Sequence, residues 1–167
     1  MSVLKIITGE ENPTLLEKST PILQANKKVL RLIRDMKDTL LAKKGLGLAA
    51  PQVGENIRLI IVALQKSVED QPATLLPMIN PEIIEFSEDK EVAEEGCLSL
   101  PNIFGDVERA KSVIIKFLDE KGREKVLALE GLNARIVQHE IDHLDGILFI
   151  RRATKIEKNS KGEKLAI

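Results

Sequence analysis

At 167 residues the chain has room for one domain with a substantial core. It is 43% hydrophobic but has no Trp, no Tyr and only four Phe, so the core is expected to be built from Ile, Leu and Val. A formal net charge of -1 argues against a protein that wraps nucleic acid through its overall charge, and a single cysteine excludes an internal disulfide framework and fits a reducing compartment.

The stretch from Met1 to Glu10 holds too short an apolar run for a signal peptide. Nothing approaches the roughly 20 apolar residues of a membrane span. The cytoplasm is the expected location, with no membrane partner and no specific nucleic acid. Residues 13–24, with Pro13 and Pro21, read as an irregular lead-in. From Asn26 to Lys43 the spacing predicts a helix: Val29, Ile33, Met36 and Leu40 recur at three- and four-residue steps, with charged residues off that stripe. Gly45, just past the last periodic residue, is expected to be the left-handed cap.

Gly45-Leu46-Gly47-Leu48-Ala49-Ala50-Pro51-Gln52 follows. Small residues here let the backbone approach a ligand or a second strand closely. The stretch lacks the third glycine of a dinucleotide loop and the lysine of a phosphate loop, so a nucleotide site is not expected. Gln52 is a polar group in an apolar setting and needs a partner if buried.

Residues 58–64 form a β-branched run that fits a buried strand. Residues 66–75 read as a surface loop, and 78–86 as a strand entered through a bend at Pro81. Residues 112–119 and 123–130 flank Glu120-Lys121-Gly122 as a hairpin. A second helix is predicted over 132–144, with Gly146 just beyond it. These elements predict an α+β fold: one domain with antiparallel or mixed sheets packed around a central helix, plus an N-terminal helix. The division expected is a catalytic domain over 1–150 and a short basic tail over 151–167. That tail carries six basic residues against two acidic ones, a net charge of +4.

The second helix contains Gln138-His139-Glu140-Ile141-Asp142-His143-Leu144. Histidines four apart lie on one helix face and can reach a single metal ion, with Glu140 beside it and not bound to it. A catalytic site of this kind needs three protein ligands and an open position. The only cysteine, Cys97, lies in Glu94-Glu95-Gly96-Cys97-Leu98-Ser99. Packed core histidines are the competing reading. Against it, both histidines and the lone cysteine of the chain fall in two compact motifs.

Taken together, Gly45 to Gln52, Glu95 to Ser99 and Gln138 to Leu144 resemble the three signature motifs of the peptide deformylases, in the same order and spacing. The resemblance covers nearly the whole chain. It implies a hydrolase that removes the formyl group from N-formylmethionine on nascent polypeptides and releases formate, by attack of a metal-bound hydroxide. On the matching positions it makes Cys97, His139 and His143 the metal ligands and Glu140 the general acid/base. It places Gln52 and the backbone N–H of Leu98 around the formyl oxygen, and Leu46, Gly47 and Gly96 along the substrate peptide. Glu95 and Arg109 match an acid and a base expected to pair and brace the cysteine strand.

The methionine side chain is expected against Leu132 and Ile136, with the stem of Arg135 over the pocket and its charge in water. The cofactor implied is one divalent ion: Fe2+ in the cell, with Zn2+, Ni2+ or Co2+ compatible with the ligand set. Expected partners are N-formylmethionyl nascent peptides and, through the basic tail, the ribosome surface. Two alternatives are an endopeptidase of the His-Glu-x-x-His type and a relative that keeps its metal for structure. The first needs a further downstream ligand, and no third histidine exists.

Overall fold

The run Leu59–Leu64 has no polar face because both of its faces are buried. In the computed structural model, which describes residues 2–65, 73–158 and 167, this strand is β2. Its side chains alternate between two cores. Ile60 and Val62 join one cluster; Leu59, Ile61 and Ala63 join the other. The first cluster is closed by α3 (Gly131–Leu144) through Ala134, Ile136, Val137, Ile141 and Leu144. The second is closed by α2 (Lys27–Lys43) through Val29, Ile33, Met36 and Leu40, the stripe read from the sequence.

The larger sheet has the order β1-β2-β3-β6-β7, with β1 Gly47–Ala49, β3 Thr74–Phe86, β6 Ser112–Leu118 and β7 Glu124–Glu130. A smaller sheet, β4-β5-β8, comprises Lys90–Cys97, Leu100–Ala110 and Lys155–Lys158. All six strand pairings are antiparallel. Parallel pairing is limited, among the described residues, to an isolated bridge between Thr20 and Ile57. Helix α3 therefore runs through the middle of an α+β fold, between the two sheets. Among the described residues no helix is long and apolar enough to cross a membrane.

Several local expectations need correction. The lead-in contains a short helix, α1 (Pro13–Leu16), capped by the Asn12 side chain, which accepts from the Thr14 N–H. Asn26 is the cap of α2 and not its first turn; its Oδ1 accepts from the N–H groups of Lys28 and Val29. The left-handed residue after α2 is Lys44 (φ 55°) and not Gly45. Gly45 serves closeness instead: a Cβ there would lie 2.9 Å from Leu40 Cδ1 and 3.0 Å from Leu98 Cδ1. β3 begins at Thr74, and its bend falls at Asn80 (φ 50°), whose side chain bonds the Ile22 backbone in both directions. The rest of the expected loop, 66–72, lies outside the described residues.

The hairpin is as expected, with Gly122 at φ 73° and Asp119 accepting from the N–H groups of Lys121 and Arg123. The division at residue 150 cuts through a one-turn 3-10 helix, Phe149–Arg151, and separates β8 from its sheet. β8 pairs with β5 from Ile103 to Asp106, so 151–158 is part of the fold and not a free tail.

Candidate metal centre

Helix α3 is buried almost all round from Ala134 to its end, so its polar residues have to find partners inside the protein. Gln138 does so with the backbone of Ala110 at the end of β5, donating to its carbonyl at 2.9 Å and accepting from its N–H at 3.1 Å. Asp142 accepts from Arg109 and, through both oxygens, from Arg152 at 2.7 and 2.8 Å. His139 bonds through Nδ1 to Glu95 Oε2 at 2.8 Å, and the Phe149 ring stacks on it at 5.9 Å between centroids.

Cys97 ends β4. It pairs directly with Leu100, leaving Leu98-Ser99 as a two-residue turn, and the register slips between Gly96 and Cys97. That slip turns the thiol toward α3, where Sγ lies 3.2 Å from His143 Nε2. The Ser99 N–H and the Gln52 side-chain amide also donate to Sγ, at 3.4 and 3.5 Å. Gln52 is fully buried in the 3-10 turn after β1. Its Oε1 accepts from the Ala49 N–H at 2.8 Å, which fixes the amide and aims its NH2 at Cys97 and Ser99.

One ligand atom from each of Cys97, His139 and His143 lies within 4.8 Å of the others, a compact arrangement suited to ligands held about 2.0–2.3 Å from one ion. The residues fit a divalent ion on a second observation. Among the described residues, the buried side-chain atoms with no hydrogen-bond partner are His139 Nε2, His143 Nδ1 and both oxygens of Glu140. All belong to this one motif. Burial pushes the Cys97 thiol up to about 12, with Glu140 adding to the rise, so a cation is what would hold it as thiolate. Burial likewise holds His143 well below the usual histidine range, keeping a neutral imidazole with a free lone pair.

Glu140 is not one of the three. Its carboxyl sits against Gly47 of β1, and a Cβ at position 47 would lie 2.7 Å from its Cδ. Burial, and then the charge of Glu95, push its pKa well above the ordinary carboxylate value. A carboxyl so placed is a ready proton carrier beside a metal.

Glu95 braces the site. Burial alone would raise its pKa, but hydrogen bonds from His139 and Arg109 outweigh that and hold it well below the usual range. Arg109 meets it through two nitrogens at 2.9 and 3.0 Å, the ion pair expected from the sequence. Arg135 overturns the expectation that its charge reaches water. Its guanidinium is buried and donates to Glu95 Oε1 at 2.8 Å and to the carbonyls of Val107 and Glu91 at 2.9 and 2.7 Å. Three acceptors converge there in place of solvent.

The other sequence-read positions surround a cleft. β1 and β4 are edge strands of their two sheets, so each leaves one side unpaired. Leu46, Ala93, Leu132 and Arg135 line a cavity of about 360 Å3 between them. Gly96 is required on β4, since a Cβ there would lie 2.6 Å from the Phe104 ring. Ile136 is fully buried in the core between α3 and the larger sheet and does not line this cavity; half-exposed Leu132 does. A larger cavity, about 540 Å3, lies on another side of α3 and touches none of Cys97, His139, His143 or Glu140. Asp142, Arg152, Phe149 and Ser99 were not singled out in the sequence. Asp142 and Ser99 alone carried a signal, their places inside the histidine and cysteine motifs.

Comparison with known proteins agrees with this geometry. The family model for polypeptide deformylase matches residues 3–159. A peptide deformylase of Syntrophomonas wolfei is 46% identical over 95% of this chain and 99% of its own length. One of Carboxydothermus hydrogenoformans is 44% identical over 96% of this chain and 100% of its own. The crystal structure of a peptide deformylase from Ehrlichia chaffeensis in complex with actinonin is similar with a TM-score of 0.86 at 35% identity, covering 93% of this chain and 91% of that one. A class I type b enzyme of Acinetobacter baumannii, bound to Met-Ala-Ser, has a TM-score of 0.81 at 42% identity, covering 91% and 99%.

Replacing Glu95 by Gln is expected to leave Arg135 and part of Arg109 without a counter-charge, destabilising the fold by about 3–5 kcal/mol. It should also weaken metal binding about 10–100-fold through His139. Because the folded-state pKa of Glu95 is depressed, its contribution is present above the ordinary carboxylate range and lost as pH falls through and below it. Urea unfolding as a function of pH, with a chelator competition, checks both; a loss under about 1 kcal/mol would contradict the bracing role.

Proposed function

The chain belongs to the polypeptide deformylase family and is a metal-dependent hydrolase, and from that premise we propose that it removes the formyl group from N-formylmethionine at the start of nascent polypeptides. The observation that carries this reading is the buried, unpartnered Glu140 carboxyl beside Cys97, His139 and His143, packed against Gly47 of the edge strand β1.

Cys97 through sulfur and the two histidines through ring nitrogens would hold the ion. When bound, a divalent ion supplies Lewis acidity and brings the pKa of a coordinated water toward about 7. The protein does the rest. A short peptide of the kind bound in the Acinetobacter relative would lie extended between β1 and β4, using the backbone of Leu46, Gly47 and Gly96 as a strand uses its neighbours. The formyl group would then sit beside Gln52, whose NH2 already points at the Cys97 sulfur, and beside the Leu98 N–H. As water oxygen joins the formyl carbon, the carbonyl oxygen gains negative charge, and each such donor stabilises it by on the order of 3 kcal/mol. Glu140 takes the water's proton and delivers it to the nitrogen as the C–N bond breaks. Formate and a free N-terminal methionine leave.

Ferrous iron is the proposed metal in the cell, and the cytoplasm, where nascent chains emerge, the proposed compartment. Metal analysis of anaerobically purified protein is expected to find iron, and the iron form should lose activity in air sooner than a nickel form, because the Cys97 thiolate beside a redox metal is open to oxidation. Equal lifetimes would contradict this. The ribosome surface is a proposed partner on charge alone. With Arg152 held by Asp142 and Lys155 by Glu157, the contact would fall to Arg151 and Lys158 within the described residues. Reversing those two charges should lower co-sedimentation with ribosomes at low salt, and unchanged binding would remove the proposal.

Glu140→Gln keeps the shape of the side chain and removes its basicity. The variant is expected to retain the metal content of the parent while formate release from a formyl-Met tripeptide falls about 10²–10⁴-fold. Metal lost in step with activity would reassign Glu140 to a structural role.

A further inference from the structure

Ile167 is only 4% exposed, although β8, the last described element before it, is exposed along its whole length. Its burial has a definite address. The Ile167 N–H donates to the Gly96 carbonyl at 3.1 Å, on the side of β4 that no strand of the sheet covers. Its side chain joins the core cluster of α3 and the larger sheet, which Leu46 also packs against. With Leu46, Leu132 and Arg135 it lines the 360 Å3 cavity between the sheet edges. One residue thus makes a backbone hydrogen bond to the β4 edge, as an extended peptide would, and sets an aliphatic side chain at the wall of the adjoining cavity.

We propose that the chain's own Ile167 is seated at the substrate-binding edge of β4 and competes with the incoming peptide, an inference that rests on the deformylase reading for what it competes with. The argument for this occupant is that it is already there. The Gly96 carbonyl is one acceptor on one edge, and Ile167 already holds it while its side chain forms part of the cavity wall. A seated Ile167 and a substrate strand bonded to Gly96 would therefore exclude each other. The seat lowers the apparent affinity for substrate by the fraction of molecules in which it is empty, and leaves the chemical step alone, because Ile167 touches none of Cys97, Glu140 or the histidines through a hydrogen bond.

Two measurements on the full-length, metal-loaded protein test this. The first asks whether Ile167 is seated, with no reference to catalysis. Its backbone amide, followed by NMR, should exchange with solvent about tenfold or more slowly relative to the same residue in a free nonapeptide of residues 159–167. Exchange at the free-peptide rate would overturn the proposal. The second asks whether the seat competes. Ile167→Asp should lower KM for formyl-Met-Ala-Ser about 3–10-fold with kcat unchanged, and Ile167→Val should keep the parent KM. An unchanged KM in Ile167→Asp, or a raised one, would overturn competition and make Ile167 a plain wall of the pocket. Should no variant release formate, the deformylase reading fails, while the exchange result still decides whether Ile167 is seated.

Discussion

Everything at this centre depends on one buried carboxylate. Glu95 stands on β4 two residues before Cys97, and it receives His139 and Arg135 from α3 and Arg109 from β5. A buried charge is costly unless paired and hydrogen-bonded on all sides, and here three groups from two other elements converge on it. The consequence is positional. With Nδ1 of His139 committed to Glu95, Nε2 is the nitrogen left to face the metal. The same contact fixes the distance between the cysteine strand and the histidine helix, which no backbone hydrogen bond does.

The cleft follows from how the two sheets end. β1 is three residues long and β4 is an outer strand, so among the described residues neither has a second strand on its outer side. Exposed edges of this kind are ordinarily a hazard and are kept short or covered. Here they bound the cavity lined by Leu46, Ala93 and Leu132, and a glycine on each stands where a side chain would meet a buried group. At Gly47 the space is taken by Glu140, and at Gly96 by the Phe104 ring.

Much of this was legible in the sequence, for identifiable reasons. β2 could be read because burial on both faces leaves an unbroken apolar run, and α2 because one stripe of it packs on the sheet. The Cys97, His139 and His143 set was legible because ligand chemistry restricts the residue types and helix geometry restricts the spacing. β4 and β5 were not assigned as elements: the first five residues of β4 are largely exposed, and Pro101, left-handed Asn102 and Gly105 interrupt the pattern of β5. The buried course of Arg135 was hidden as well, since its partners come from β4 and β5, distant in sequence. β8 was hidden by its charge, because it pairs through its backbone and keeps its side chains outside.

The central claim is that one cysteine and two histidines, set by Glu95, hold a single divalent ion. Titrating metal-free protein with cobalt(II) tests it most directly, because thiolate–cobalt bonding gives a near-ultraviolet charge-transfer band that imidazole ligands alone do not. The account predicts that the band saturates at about one equivalent per chain and is absent in Cys97→Ala. Saturation at a higher ratio, or a band that survives in Cys97→Ala, would contradict it.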